Sequence, residues 1–130
     1  MSITSAPYGK LPDGRAVTEY TLSNASGMTA RVITLGGIIT ALEVPDRDGK
    51  RADIVLGKAD LEAYAAGHPC FGTITGRVVG RITEGKFSLD GVDYALEQND
   101  GGSPNHLHGG SDGFDKQLWE GSTFTDGDVE

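Results

Sequence analysis

The chain of 130 residues contains one cysteine, Cys70, so no disulfide forms within it and nothing in its cysteine content requires an oxidising compartment. It has no apolar stretch of the length that a membrane span needs, and its first residues lack the basic and apolar regions of a signal peptide. Basic residues are too few to balance the acidic ones, and the net charge of -8 disfavours nucleic acid and anionic membranes as partners. We therefore expect a cytoplasmic protein, and a neutral ligand would be unaffected by this sign of charge.

Glycine, by contrast, is abundant, with 20 residues spread through the chain without a fixed period. Glycines between short runs of β-branched residues indicate many turns and therefore an all-β chain. About eight short strands are expected, which suits an antiparallel sandwich. One short helix is predicted over Lys58–Ala66, with Asp60 as its N-cap and Gly67 at its end.

Strands are expected where β-branched and aromatic residues alternate with polar ones. The clearest pattern is a hairpin over Lys86–Leu96, where the turn pair Asp90-Gly91 separates two alternating runs. Residues 71–82 predict an irregular, bulged strand, and residues 1–16 predict an irregular arm or a loose hairpin because Pro and Gly recur there. Further strands are predicted at 18–22, 28–35, 38–44, 53–56 and 117–125.

Residues 99–113, NDGGSPNHLHGGSDG, predict a loop, because five glycines and a proline disfavour both a regular helix and a central strand. In an extended backbone, alternation would put His106 and His108 on one side. A metal site is poorly supported, since no nearby Cys or third spaced His completes the ligands. One histidine suffices as an acid, a base or a hydrogen-bond donor. Loop chemistry alone does not separate that role from a histidine that only bonds the backbone.

Arginine provides the second candidate chemistry. Arg77 and Arg81 lie four residues apart in the segment GRVVGRI, residues 76–82, and would share one face of an extended strand. A guanidinium presents a fixed fork of donors that suits vicinal hydroxyls or a carboxylate. Without further information, pairing with surface Asp or Glu is the simpler hypothesis for both.

Two other features have mainly structural interpretations. Cys70 and His68 are two residues apart, which is no nucleophile arrangement unless the fold aligns them, so a structural cysteine is favoured. Trp119 follows the loop and could stack against a sugar, but a core aromatic on a strand is the favoured prediction.

Several segments, in this order and spacing, resemble the aldose 1-epimerases (galactose mutarotases): GRVVGRI, FSLDGVDYAL, Asn99, NHLHGG, GFDK and Trp119. The upstream segments RVITLGGIITALEVPDRDGKRADIVLG and HPCFGTITGR are also similar to the N-terminal part of that family, so the resemblance begins at about Leu11. It implies a galactose mutarotase-like antiparallel β-sandwich that binds a hexose and acts as an isomerase on its α and β anomers without a cofactor. An acid would protonate the ring oxygen while a base removes the proton of the anomeric hydroxyl.

By position, the resemblance implies that Arg81 binds the sugar. It also implies that His108, the histidine of LHGG, is an active-site residue that hydrogen-bonds the substrate near its ring oxygen. His106 lies outside the family's functional set. Gly80 stands where the family often has Asn, so a polar side chain is absent there.

Family members are much longer, and the resemblance implies that the proton-donating histidine, the glutamate base and a sugar-binding aspartate lie outside these residues. No His follows His108, and Glu120 and Glu130 lie in no recognisable motif. We therefore expect residues 1–130 to be one partial domain, truncated at its C-terminal end and inactive alone, with exposed sheet edges that favour self-association. A non-catalytic carbohydrate-binding or structural module and a gene fragment remain open as alternatives.

Overall fold

A computed structural model describes residues 2–124, which fold mainly into antiparallel strands. The described residues form two compact units. The first contains residues 2–73 and 118–124, and the second contains residues 74–117. No helix in the described part of the chain has the length and apolar character needed to cross a membrane.

The first unit is built on a five-stranded sheet in which each strand pairs with the next along the chain. Every pairing is antiparallel, and short turns supply the reversals. One such turn is closed by Asp46, whose Oδ1 accepts the N–H groups of Asp48 and Lys50 at 2.8 and 2.9 Å. The strands are β1 (Ser2–Lys10), β2 (Ala16–Ser23), β3 (Thr29–Ile33), β4 (Ile38–Pro45) and β5 (Arg51–Asp53).

A short helix, α1 (Leu61–Ala65), supplies part of the core of this unit. It begins where the sequence predicts, because Asp60 Oδ1 accepts the N–H of Ala63 at 2.9 Å. Tyr64 is buried, and its hydroxyl still finds a partner by accepting the N–H of Lys58 at 3.0 Å. The apolar core comprises Leu11, Val17, Ile33, Leu35, Ile38, Leu61 and Tyr64.

The second unit contains two small antiparallel pairs. Strand β6 (Arg81–Ile82) lies beside β9 (His106–Leu107), while β7 (Lys86–Leu89) and β8 (Val92–Ala95) form the hairpin predicted from Asp90-Gly91. On one face of the hairpin the rings of Phe87 and Tyr94 stack with their centroids 4.9 Å apart. This hairpin is exposed along both strands.

The all-β, antiparallel prediction is confirmed, and so are the strands at β2 to β4, the hairpin and the capped helix. For residues 1–16 the irregular arm is wrong, because residues 2–10 form a long strand that accommodates Pro7 at a break in register with β2. The alternative of a hairpin agrees with the reversal at 11–15, after which Ala16 pairs with Lys10. The predicted strand at 53–56 ends at Asp53. There the Asp53 carboxylate accepts the N–H groups of Leu42 and Val55 and takes the place of further strand pairing.

Two other strand predictions are also wrong in the described residues. Within 71–82 only Arg81–Ile82 is strand, because Gly72 has a φ of +63° and Gly76 packs directly against a ring. Within 117–124 the sheet contact is a single bridge between Leu35 and Leu118. The end of that predicted strand at Thr125, and Glu130, lie outside the described residues.

Candidate functional site

The pairing of β6 with β9 brings the two sequence-predicted site residues together. Arg81 lies opposite Leu107, the residue before His108. The pairing continues one step beyond the strands, because the N–H of His108 donates to the carbonyl of Gly80 at 3.1 Å. Residues that are 27 positions apart in sequence, Arg81 and His108, are therefore neighbours across a short ladder.

His108 is held by its ring as well as by its backbone. Its Nδ1 accepts the N–H of Gly80 at 3.1 Å, and the side chain is half-buried. The backbone φ of His108 is +54°, in the left-handed region that few residues adopt. The extended alternation that would place His106 and His108 on one side therefore stops at Leu107.

His106 has a different environment. Its side chain is buried, and its Nδ1 lies 2.8 Å from the carbonyl oxygen of Glu97, to which it donates. A buried ring bonded to the main chain matches the alternative, left open by the sequence, of a histidine that only bonds the backbone.

The backbone conformation at position 80, rather than a lack of space for a side chain, favours glycine. Its φ is +83°, and a Cβ at this position would meet no atom within 4 Å. Gly adopts such angles freely, and Asn is among the few other residues that do so readily. Both contacts with His108 use only the main chain of Gly80.

Arg81 forms a two-pronged ion pair with Asp100, a residue that sequence reasoning missed. Arg81 Nε donates to Asp100 Oδ2 at 2.7 Å, and Nη2 donates to Oδ1 at 3.2 Å. Hydrogen bonds from Arg81 and, to a smaller extent, from Asn105 lower the pKa of Asp100. The hydrogen bond to Asp100 in turn raises the pKa of Arg81. The Arg81 side chain is 59% exposed, so its guanidinium remains accessible at the surface while Asp100 fixes its direction.

Asn99 secures the other side of β9. Its Oδ1 accepts the N–H of Leu107 at 2.8 Å, and its Nδ2 donates to the carbonyl of Leu107 at 2.9 Å. One carboxamide thus satisfies both backbone groups of Leu107 that β6 leaves unpaired. Asn99 is one of the residues that carry the family resemblance, whereas the only sequence signal for Asp100 was its polar side chain directly before Gly-Gly in the loop.

The comparisons with known proteins cover this whole region. The family model described as aldose 1-epimerase matches residues 18–130. The chain belongs to the aldose 1-epimerase family. It is 44% identical over 127 residues to the galactose mutarotase of Sus scrofa and 44% identical over 126 residues to that of Homo sapiens. These matches cover 98% and 97% of the chain, which spans 36% of each relative's length.

Solved structures of the family agree with the fold. The galactose 1-epimerase from Lactobacillus acidophilus NCFM matches 97% of the chain with a TM-score of 0.77 and 26% sequence identity, and the match covers 35% of that structure. The prediction of a galactose mutarotase-like antiparallel β-sandwich, present here in part, is therefore confirmed.

Two glycines of the family-like motifs, Gly76 and Gly109, allow close packing within the second unit. A Cβ on Gly109 would collide with the carbonyl of Gly76, and a Cβ on Gly76 would collide with the ring of Phe114. The guanidinium of Arg77 lies 5.4 Å from the centroid of the same ring. In this epimerase-family chain, Arg77 therefore packs on Phe114, whereas Arg81 pairs with Asp100.

Glu97 is a second carboxylate of the loop region. It accepts the N–H of Ser111 at 2.7 Å and also the hydroxyl of Ser111. These hydrogen bonds lower the pKa of Glu97. No group of three or more His, Cys, Asp or Glu side chains in residues 2–124 is arranged to hold a metal ion.

The other sequence candidates lie in the first unit. His68 Nδ1 accepts the main-chain N–H of Cys70 at 3.1 Å, which is a backbone turn contact, and the thiol forms no disulfide. The prediction of Trp119 as a core aromatic is wrong, since its side chain is 41% exposed. Its main-chain N–H instead donates to the carbonyl of Thr34 at 2.8 Å, and this backbone contact holds the segment at the sheet.

Proposed function

We propose that this chain forms part of the sugar-binding wall of an aldose 1-epimerase, and that the complete enzyme interconverts the α and β anomers of hexoses such as galactose and glucose. The observation that carries the proposal is the pairing of β6 with β9, which makes Arg81 and His108 neighbours. Family membership across residues 18–130 supports it.

In this proposal Arg81 and His108 both bind the substrate, and His108 also takes part in catalysis. The guanidinium of Arg81 donates hydrogen bonds to sugar hydroxyls, in a direction fixed by Asp100. His108 bonds the sugar near the ring oxygen, where negative charge develops as the ring opens. The small-molecule partner is a neutral sugar, and acid–base chemistry needs no cofactor.

We further propose that the proton donor and the base are supplied by sequence outside residues 1–130, which form a portion of one larger domain. A general base works best when its pKa is near the working pH. The two loop carboxylates, Asp100 and Glu97, have lowered pKa values and already accept hydrogen bonds from Arg81 and Ser111. Neither suits the abstraction of a proton from an anomeric hydroxyl.

Polarimetry on freshly dissolved α-galactose or α-glucose tests whether the proton donor and the base lie outside residues 1–130. The 130-residue chain is expected to leave the rate of mutarotation unchanged. Acceleration that disappears in His108→Ala would contradict the absence of the donor and base from this chain.

A chimera tests the assignment of the site residues. This chain would replace the matching 127-residue segment of the Sus scrofa galactose mutarotase. We expect an active chimera that loses at least about 100-fold in kcat/KM in Arg81→Ala and in His108→Ala, because each removes a group that holds the substrate or its transition state. Arg77→Ala is the matched control, since Arg77 packs on Phe114. Full activity of both site variants would contradict the proposed roles.

A non-catalytic carbohydrate-binding module is the second candidate function. The engagement of Asp100 and Glu97 by Arg81 and Ser111 favours it for the isolated chain, because a sugar could be held beside carboxylates unsuited to remove its proton. An NMR titration with galactose distinguishes the candidates. Localised shifts at residues 80–81 and 106–110 without turnover indicate binding, whereas no shifts at these positions contradict sugar binding by this chain.

Self-association through sheet edges is also part of the proposal. In the described sheet β1 and β5 are the outer strands, and an outer strand presents backbone donors and acceptors to other chains. Sedimentation velocity of the purified chain is expected to show species larger than a monomer, and a single monomeric species would contradict it. The cytoplasmic location remains a prediction from the sequence.

A further inference from the structure

The ring of His108 is bonded in a way that determines which of its nitrogens carries the proton. Its Nδ1 lies 3.1 Å from the main-chain nitrogen of Gly80. A backbone N–H only donates, so Nδ1 must be the accepting, unprotonated nitrogen. A neutral imidazole with an accepting Nδ1 has its proton on Nε2.

His106, two residues earlier, is bonded in the opposite sense. Its Nδ1 lies 2.8 Å from the carbonyl oxygen of Glu97, and a carbonyl only accepts. Nδ1 of His106 must therefore carry a proton. Residues 106–108 thus hold one ring with a protonated Nδ1 and one with an unprotonated Nδ1, according to the main-chain group that each ring contacts.

Gly80 is well suited to hold His108 in its state. Its N–H donates to the ring and its carbonyl accepts the N–H of His108, so two hydrogen bonds join the same pair of residues. Both residues have positive φ angles, +83° for Gly80 and +54° for His108, and the ring bond depends on these angles being kept. A residue that disfavours positive φ at position 80 would turn the N–H away.

We propose that Gly80 is a positioning residue that keeps His108 in the Nε2–H form, so that His108 meets the sugar as a hydrogen-bond donor. The inference rests on the proposed function and specifies the chemistry of the same site. The sugar atom facing Nε2 is then an acceptor, such as the ring oxygen or a hydroxyl oxygen. The proton of the anomeric hydroxyl must be removed by a different group.

A nitrogen NMR experiment on the ¹⁵N-labelled 130-residue chain tests the protonation pattern without any sugar. Spectra are recorded at about pH 8, where an ordinary imidazole is neutral. His108 is expected to show an unprotonated Nδ1, a protonated Nε2 and a scalar coupling through the hydrogen bond between Gly80 N and His108 Nδ1. His106 is the internal control and should show a protonated Nδ1. A protonated Nδ1 at His108, or no coupling to Gly80, would overturn the proposal.

Variants at Gly80 separate positioning from a general need for glycine. Gly80→Val, with a β-branched side chain that disfavours positive φ, is expected to lose the coupling and give a mixture of the two ring forms. Gly27→Val is the matched control, because Gly27 has a φ of +85° and equally open space for a Cβ. Gly80→Asn should retain the coupling, since Asn tolerates positive φ. A pure Nε2–H form in Gly80→Val would contradict positioning by Gly80, and if that variant does not fold, the spectrum of the unmodified chain decides.

Galactose titration of the same variants separates this inference from the proposed function. Gly80→Val is expected to bind galactose about fivefold more weakly than Gly27→Val, as the loss of one neutral hydrogen bond predicts. Equal affinities of the two variants would contradict the link between the ring form and sugar binding. The confirmed ring pattern with no sugar binding in any variant would refute the sugar site alone, and sugar binding with a protonated Nδ1 would refute only the role of Gly80.

Discussion

The two compact units bury different kinds of residue. The first buries apolar side chains from its sheet and helix, among them Val17, Ile33, Ile38 and Tyr64. In the described second unit, residues 74–117, the buried positions are four glycines together with His106 and Asp115. The large apolar side chains of its hairpin are exposed instead.

This difference separates stability from positioning. Apolar burial is non-directional and contributes most of the free energy of folding, so the first unit depends on its core. Close backbone contacts and hydrogen bonds are directional, so the second unit fixes the geometry of Arg81 and His108 through particular atoms. Substitutions in the first unit should therefore lower the free energy of unfolding, whereas substitutions in the second unit should disturb the geometry of the site.

Ile38→Ala should give the largest loss of stability. Ile38 is fully buried in the core of the first unit, and truncation of such a side chain costs about 2–5 kcal/mol in free energy of unfolding. Urea unfolding monitored by circular dichroism measures the loss. Val79→Ala is the control in the second unit, where the side chain is 72% exposed and the change should stay within about 0.5 kcal/mol. Equal losses of unfolding free energy in the two variants would contradict the view that the apolar core of the first unit provides most of the stability.

Gly109→Ala should damage the second unit more locally. The added Cβ would collide with the carbonyl of Gly76, and the φ of +90° adds strain for any L side chain, for a cost of about 2–4 kcal/mol. Amide hydrogen exchange should show faster exchange at residues 81–82 and 106–108 and little change in β2 and β3. Gly91→Ala is the control, with a φ of +75° and open space, and should cost about 1 kcal/mol. Unchanged exchange at 106–108 would show that this glycine contact does not hold the site.

Acidification should give the smallest change in stability, because it removes only the ion pair between Arg81 and Asp100. A carboxyl with a lowered folded-state pKa stabilises the fold above its unfolded pKa of about 3.9, and this contribution is lost as pH falls through the folded pKa. The carboxyl carbon of Asp100 and the Nε–H of Arg81 should therefore shift together below about pH 4 in NMR spectra. Asp100→Asn should abolish that shift of Arg81. Asp13→Asn is the control, because its carboxylate pairs with Arg15 Nε at the same 2.7 Å. If the Arg81 signal does not change as Asp100 titrates, the ion pair between the two side chains would be refuted.

Elements whose signals are local were predictable from the sequence. The hairpin at Asp90-Gly91 and the cap at Asp60 need only nearby residues, and both are confirmed. β1 was missed because its pairing with β2, which tolerates Pro7 at a break in register, is decided by tertiary contacts. The segment 71–82 was misjudged because the contact of Gly76 with Phe114 joins residues far apart in sequence.

In the candidate site, too, some residues were predictable from the sequence and their supporting contacts were not. The resemblance pointed to Arg81 and His108, whose roles stay proposals. Their supports could not be predicted, because the partner of an exposed arginine depends on the folded loop, and Asp100 lies 19 positions from Arg81. The left-handed backbone of His108 also has no signal in an alternating pattern. The resemblance identified the two residues, and only the fold identified the groups that hold them.

The carboxamide of Asn99 has a consequence for assembly. It bonds both backbone groups of Leu107 as a neighbouring strand would, so one side chain closes the outer rim of the two-residue strand β9. A passing peptide therefore finds no free backbone donor or acceptor at Leu107. The side chain of Asn99 thus blocks the addition of a further strand to β9, directly before the backbone of His108.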